Sequence, residues 1–92
     1  MKFMTSWTIN TGNIPEAVAR FLSGEAPPPP GVTLLGRWHN TDFSGGYSLI
    51  ECDDAVAAYT DAAQWADIVD LSTVPVIEDG EAGPVLAKRF KK

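Results

Sequence analysis

The amino-acid sequence predicts an α+β fold, in which a four-stranded antiparallel sheet carries helices on one face in the order β-α-β-β-α-β. Three observations lead there. Val32 to Glu51 reads VTLLGRWHN, TDFSG, GYSLIE, two apolar β-rich runs joined by a polar link, which is a hairpin signal with a longer loop. A stretch with helical apolar spacing lies on each side of that hairpin. Strand-like segments open the chain and follow the second helix, so each helix connects two strands.

The first strand is Lys2 to Ile9, with Met4 on one face and Phe3 and Trp7 on the other; two partly apolar faces suit a central strand. Asn13 then reads as a helix cap, with Glu16 three residues on as in a capping box and Pro15 in the first turn, where its missing N–H costs little. Ile14, Ala17 or Val18, Phe21 and Leu22 make one apolar face, and Gly24 is the natural stop, so the first helix spans about Ile14 to Ser23. Pro27 to Pro30 favours polyproline II, a stiff connector of about 12 Å. Asp53 and Asp54 supply the cap of a second helix, Ala55 to Ala66, with Val56, Tyr59, Ala63 and Ala66 on one face and Ala55, Ala58 and Ala62 beside them, so that the helix can approach a sheet closely. Val69 to Glu78 reads as the fourth strand, and Pro75 inside it assigns it to an edge. A short last helix, about Pro84 to Phe90, closes the chain; a fifth strand over Val85 to Phe90 is the alternative.

In this ferredoxin-like order the first and third strands are central, the second and fourth are edges, and one sheet face has no helix above it. Alternation places Thr33, Leu35, Arg37 and His39 on one face of the second strand, and Tyr47, Leu49 and Glu51 on one face of the third. Cys52 immediately precedes the second helix, so its set, with Ser48 and Ile50, goes under the helices, and the Arg37–His39 and Tyr47–Glu51 sets fall together on the open face. Such a face, mixing Leu35, Leu49 and Tyr47 with polar groups, asks for a partner, and the simplest is a second copy of the chain about a two-fold axis.

The totals bound the rest. Ninety-two residues make one domain, which buries roughly 60–65% of its unfolded surface, so self-association is a natural way to add burial. A net charge of −5 argues against nucleic acid as the main partner, because phosphate binding needs a basic surface. Lys88, Arg89, Lys91 and Lys92 form a short positive tail that complements a helix C-terminus. The lone cysteine, Cys52, allows no intrachain disulfide, and the opening MKFMTSWTIN has no secretory apolar run. No segment approaches ~20 apolar residues, so a soluble cytoplasmic protein without a membrane span is expected.

At this point the chain resembles the dimeric α/β-barrel superfamily, in which two ferredoxin-like subunits close into a barrel. Within it the chain is similar to a family of short bacterial proteins labelled domain of unknown function 3303. The resemblance rests on KFMTSWTI at the start, GRWH at Gly36 to His39, the Gly45-Gly46 turn, ECDD at Glu51 to Asp54, QWAD at Gln64 to Asp67 and TVPVIED at Thr73 to Asp79. It implies the fold and a homodimer. The superfamily spans cofactor-free monooxygenases, lactone isomerases, polyketide cyclases, haem-degrading enzymes and ligand-binding modules, so fold analogy selects no activity.

Candidate chemistry centres on His39, the only histidine, with Arg37 two residues earlier and Tyr47 and Glu51 expected on the adjacent strand. The arginine suits a carboxylate or phosphate and the histidine acid–base work; a structural network, with Arg37 on Glu51 and His39 capping the hairpin, is the other reading. Trp7, Trp38 and Trp65 are either core anchors or the walls of an aromatic pocket. Cys52, expected under a helix without a base, is no nucleophile. One histidine and one cysteine on opposite faces make no metal site, and Gly45-Gly46 opens no helix and so is no phosphate loop. No cofactor is implied. Three functions follow: a homodimeric module binding a small organic ligand through Trp7, Arg37, His39, Tyr47 and Glu51; a small cofactor-independent enzyme of monooxygenase, isomerase or cyclase type using His39 and Arg37; and a structural or regulatory interaction protein without a pocket.

Overall fold

The computed structural model describes residues 1–91 and shows the α+β order βαββαβα. Strands β1 (Lys2–Thr8), β2 (Thr33–His39), β3 (Gly45–Glu51) and β4 (Asp70–Val76) form one antiparallel sheet in the order β2-β3-β1-β4. β1 and β3 are therefore central and β2 and β4 are edges, consistent with a ferredoxin-like fold. Pro75, facing Phe3 across the ladder, sits on an outermost strand, where its missing donor costs no outer partner. The narrowest dimension of the molecule, 18 Å, is that of one helix layer on one sheet.

Helix α1 (Ile14–Ser23) follows a 3-10 turn at Thr11–Asn13 and ends on Gly24, whose φ of 71° is the left-handed conformation that glycine adopts without penalty. The expected capping box is absent. The Asn13 side chain instead donates to the Ile68 carbonyl at 3.2 Å, tying the start of α1 to the approach to β4, and Glu16 turns to Arg20 at 3.5 Å. Helix α2 (Ala55–Ala63) is capped as its sequence demands, with Asp54 accepting from the Ala57 N–H at 2.9 Å. It stops short of Ala66, and two of the three alanines expected to allow close approach face the sheet: Ala58 is buried and Ala62 half-buried, while Val56 and Tyr59 are 72% and 78% exposed. The small residues win because they let the helix approach the sheet. The proline connector ends in a turn, with the Val32 N–H donating to the Pro29 carbonyl at 3.1 Å and Gly31 at a φ of 85°.

Helix α3 (Asp79–Arg89) starts well before Pro84, which lies inside it. The backbone N–H groups of Glu81 and Ala82 close on the Glu78 carbonyl, so the helix nucleates at Asp79, and the alternative fifth strand does not form. α3 buries none of its residues. No helix among the described residues is long and apolar enough to cross a membrane.

The core is in two pieces. Phe3, Val32, Ile50, Cys52 and Ala58 form one cluster under α2, extended by Leu34 and Ala57. Ala17, Ile68 and Val69 form the other under α1, extended by Trp7, Ile9, Trp65 and Leu71. The opposite sheet face carries Met4, Trp38, Tyr47, Leu49, Val74 and Val76, with Trp38 directly across from Tyr47 and Met4 across from Leu49 and Val74. No helix covers it.

Candidate functional site

One irregularity decides where the candidate residues lie. Leu34 pairs with Ile50, but the next pairing is Gly36 with Leu49, so Leu35 is an extra residue in β2, a β-bulge. From there Arg37 faces Ser48 and His39 faces Gly46, while Trp38 faces Tyr47. Simple alternation predicted the reverse. The inserted residue moves Arg37 and His39 to the helix-covered face and leaves Tyr47 and Glu51 on the open one. Glu51 lies 3.7 Å from the N-terminal ammonium, so the Arg37–Glu51 pair does not exist.

Arg37 and His39 thereby enter a cavity of about 550 Å³ between the sheet and helices α1 and α2. It fills the gap between the two core clusters. Thr5 and Ser48, both buried, form part of its floor, with the Thr5 and Thr73 hydroxyls 2.8 Å apart below. Trp7, Val18, Phe21, Leu34 and Trp65 supply apolar walls, and Phe43 stands at its margin. Phe43 has a φ of 64°, a left-handed conformation that is uncommon for a side-chain-bearing residue; Asp42, accepting from the Ser44 N–H at 3.0 Å, holds that turn. Hydrogen bonding by the Ser44 hydroxyl, and after it by the Ser44 N–H, keeps the Asp42 carboxyl below its usual range.

The side chains around the cavity pack on one another. The His39 ring meets Phe21 edge-on at 5.3 Å and Trp7 at 5.9 Å. The Arg37 guanidinium lies 5.3 Å over the Phe21 ring. Trp7 reaches His39 because the residue between them on β3 is Gly46: a Cβ there would come within 2.6 Å of the Trp7 ring and would overlap the Trp38 carbonyl oxygen. Gly45 and Gly46, expected as a turn, are the first two residues of β3, and their missing side chains let the backbones and the indole close up.

Arg20 holds the helix layer in place. It donates to the Gln64 carbonyl at 2.8 Å and to both oxygens of Asp67 at 2.7 and 3.0 Å, and stands over Trp65 at 5.9 Å. Its hydrogen bond keeps the Asp67 carboxyl below the normal range. α1 is thus pinned to the segment after α2, and the connector is pinned too, by Gln64 donating to the Pro27 carbonyl at 3.1 Å.

Asp61 is the ionisable residue of the cavity that sequence reasoning missed. It is half-buried on the inward face of α2, between Ala58 and Trp65 in the helical repeat, and burial raises its pKa while the Arg37 charge opposes the rise. The signal was present: 58, 61, 62 and 65 share one helical face, with an acid among small and aromatic residues. A raised carboxyl pKa means that the folded chain holds this proton more tightly than the unfolded one. Its stabilising effect is complete below the unfolded value and is lost as pH rises through the folded one. Asp61→Asn is therefore expected to melt above the wild type at pH 7 and level with it near about pH 3, checked by thermal melts at both.

Of the five candidate ligand-binding residues, Trp7, Arg37 and His39 line the cavity; Tyr47 and Glu51 lie on the other side of the sheet. Trp65 lines it as well, whereas Trp38, 55% exposed, folds over Gly36 on the open face. Cys52 is buried with its thiol directed to the Asp54 carbonyl. Among the described residues no three His, Cys, Asp or Glu side chains converge to hold a metal ion.

A family model described as a domain of unknown function (DUF3303) matches residues 1–90. No curated protein matches the chain.

Proposed function

The chain belongs to the DUF3303 family of unknown function, and from that premise we propose that it is a homodimeric module that binds a small organic molecule between its sheet and its helices. The observation that carries this reading is the cavity of about 550 Å³ between two separate core clusters. Its volume falls in the range of small-molecule sites, and its lining is the usual mixture for one: aromatic and aliphatic walls with a few polar groups, Arg37, His39 and Asp61. The neutral fluorophore N-phenyl-1-naphthylamine is expected to bind saturably, one per chain, with enhanced emission. Val18→Trp, at a 41% exposed position on the cavity wall, is expected to weaken that binding at least about tenfold by filling the space. Emission that rises linearly without saturating, or that ignores the substitution, rejects the reading.

The assembly we propose is that of the dimeric α/β barrels, two open sheet faces meeting about a two-fold axis. Met4, Leu49, Val74 and Val76 on that face, with Trp38 and Tyr47 about half exposed, support it. So does α3. Its Val85, Leu86 and Phe90 are 64%, 55% and 67% exposed, and a helix holding Gly80, Gly83 and Pro84 is weak in isolation, which fits one that docks on a second copy. Light scattering is expected to give twice the 9.9 kDa chain mass, and Leu49→Glu, in the middle of the face, to give the monomer. A monodisperse wild-type monomer at micromolar concentration rejects the dimer. A cytoplasmic setting goes with this reading, since the single buried Cys52 serves no disulfide.

A further inference from the structure

We infer that the molecule the cavity takes is a flat aromatic monocarboxylate, its carboxylate on Arg37 and its ring among Trp7, Phe21 and Trp65; this rests on the cavity being a binding site at all. The argument begins with a contrast between two half-buried arginines. Arg20 is fully engaged, with a backbone carbonyl and both oxygens of Asp67. Arg37 takes part in none of the ion pairs among the described residues, and its close partner is the face of Phe21, which leaves the edge of the guanidinium free. A guanidinium presents its donors as a planar fork that matches a carboxylate with two parallel hydrogen bonds, while its face is free to stack. Arg37 already uses the face. Only the fork is left, and a partly desolvated cation in an apolar cavity gains most from an anion of matching geometry.

The remaining lining sets the charge and shape of the guest. Among the described residues no lysine lines the cavity, and the other ionisable groups there are His39 and Asp61. Asp61 is close enough to act on Arg37 through its charge, yet makes no ion pair with it. A single carboxylate can take the arginine that Asp61 does not reach. A second negative charge, as on a phosphate monoester, would have to share the cavity with the Asp61 carboxyl, where Arg37 is the one permanent cation among the described lining residues. Beside the Phe21 ring that Arg37 stacks on, the walls are the Trp7 and Trp65 rings with Val18 and Leu34, surfaces that favour a flat ring in offset or edge-on contact. The polar end and the apolar body of the guest are thereby both specified.

The test uses two probes of the same shape, naphthalene-2-carboxylate and 2-naphthamide, titrated calorimetrically into the full chain. The wild type is expected to bind the carboxylate about tenfold or more tighter than the amide. Arg37→Gln is expected to bring the carboxylate down to the level of the amide while the amide binds as before, which also shows that the variant is folded. Arg37→Lys is expected to restore part of the preference, and Asp61→Asn to raise carboxylate affinity about threefold by removing the repulsion. Equal binding of the two probes to the wild type, or an equal loss of both in Arg37→Gln, overturns the anion assignment and leaves the cavity reading standing. If neither probe binds, the cavity reading falls and takes this inference with it.

Discussion

Gly45→Ala is expected to destabilise the chain by at least about 3 kcal/mol and to abolish binding in the cavity. Two costs act together. Gly45 has a φ of 148°, a conformation that side-chain-bearing residues rarely adopt, and a Cβ there would overlap the Trp7 carbonyl oxygen. The obstacle is backbone, so no rotamer change relieves it, and β1 would have to move away from β3 where the Ile9 N–H meets the Ser44 carbonyl at 2.9 Å. Gly45 also lines the cavity, so the displacement reaches the site directly. Circular dichroism melts check the first effect and N-phenyl-1-naphthylamine titration the second. Gly83→Ala is the control. It lies in α3 with open space around the added methyl and is expected to gain about 0.5–1 kcal/mol of local helix stability. A Gly45→Ala protein that melts with the wild type would show that the β1–β3 approach is looser than described.

Ile50→Ala is the second large effect, about 3 kcal/mol. Ile50 is 2% exposed and sits in the cluster of Phe3, Val32, Cys52 and Ala58, where a lost side chain leaves a void that the central strands cannot close. For a domain of this size that corresponds to a melting point lower by roughly 12–24 °C. Two features make the chain sensitive. The core is divided, so each cluster is small and has few neighbours to share the strain, and the total stability of such a domain is only about 5–15 kcal/mol. Val56→Ala, at a position 72% exposed on α2, is expected to stay within about 0.5 kcal/mol of the wild type. Equal effects at the two positions would contradict the placement of the core under the inner face of α2.

These two residues also mark what was legible in the sequence. The order of elements came through because each carries its own period and punctuation: Gly24 stops α1, Asp54 starts α2, and Pro75 assigns β4 to an edge. The central place of β1 and β3 followed from that order. Of the candidate residues, Trp7, Arg37 and His39 line the cavity, and Arg37 and His39 do so from the face opposite to the expected one, because alternation counts residues and a bulge adds one. Gly36 beside it was the available hint, since a glycine inside a strand often accompanies a bulge. On α2 the small residues were legible as the ones that let a helix approach a sheet, and Ala58 and Ala62 do so, whereas Val56 and Tyr59, grouped on a neighbouring apolar face, are exposed. The cavity itself was not legible. Phe21 and Trp65 recur at the same spacing whether they fill a core or wall a space, and only the positions of both helices above the sheet distinguish the two.

The extra residue in β2 makes the length of that strand matter in one place and hardly at all in another. Removing Leu35 would join Leu34 directly to Gly36 and straighten the ladder, with Arg37 still opposite Ser48 and His39 opposite Gly46. Adding one residue between Arg37 and His39 would turn the two side chains to opposite sides of the sheet. Along this edge a deletion before Gly36 leaves Arg37 and His39 on the helix-covered face, whereas a one-residue change between them parts the pair.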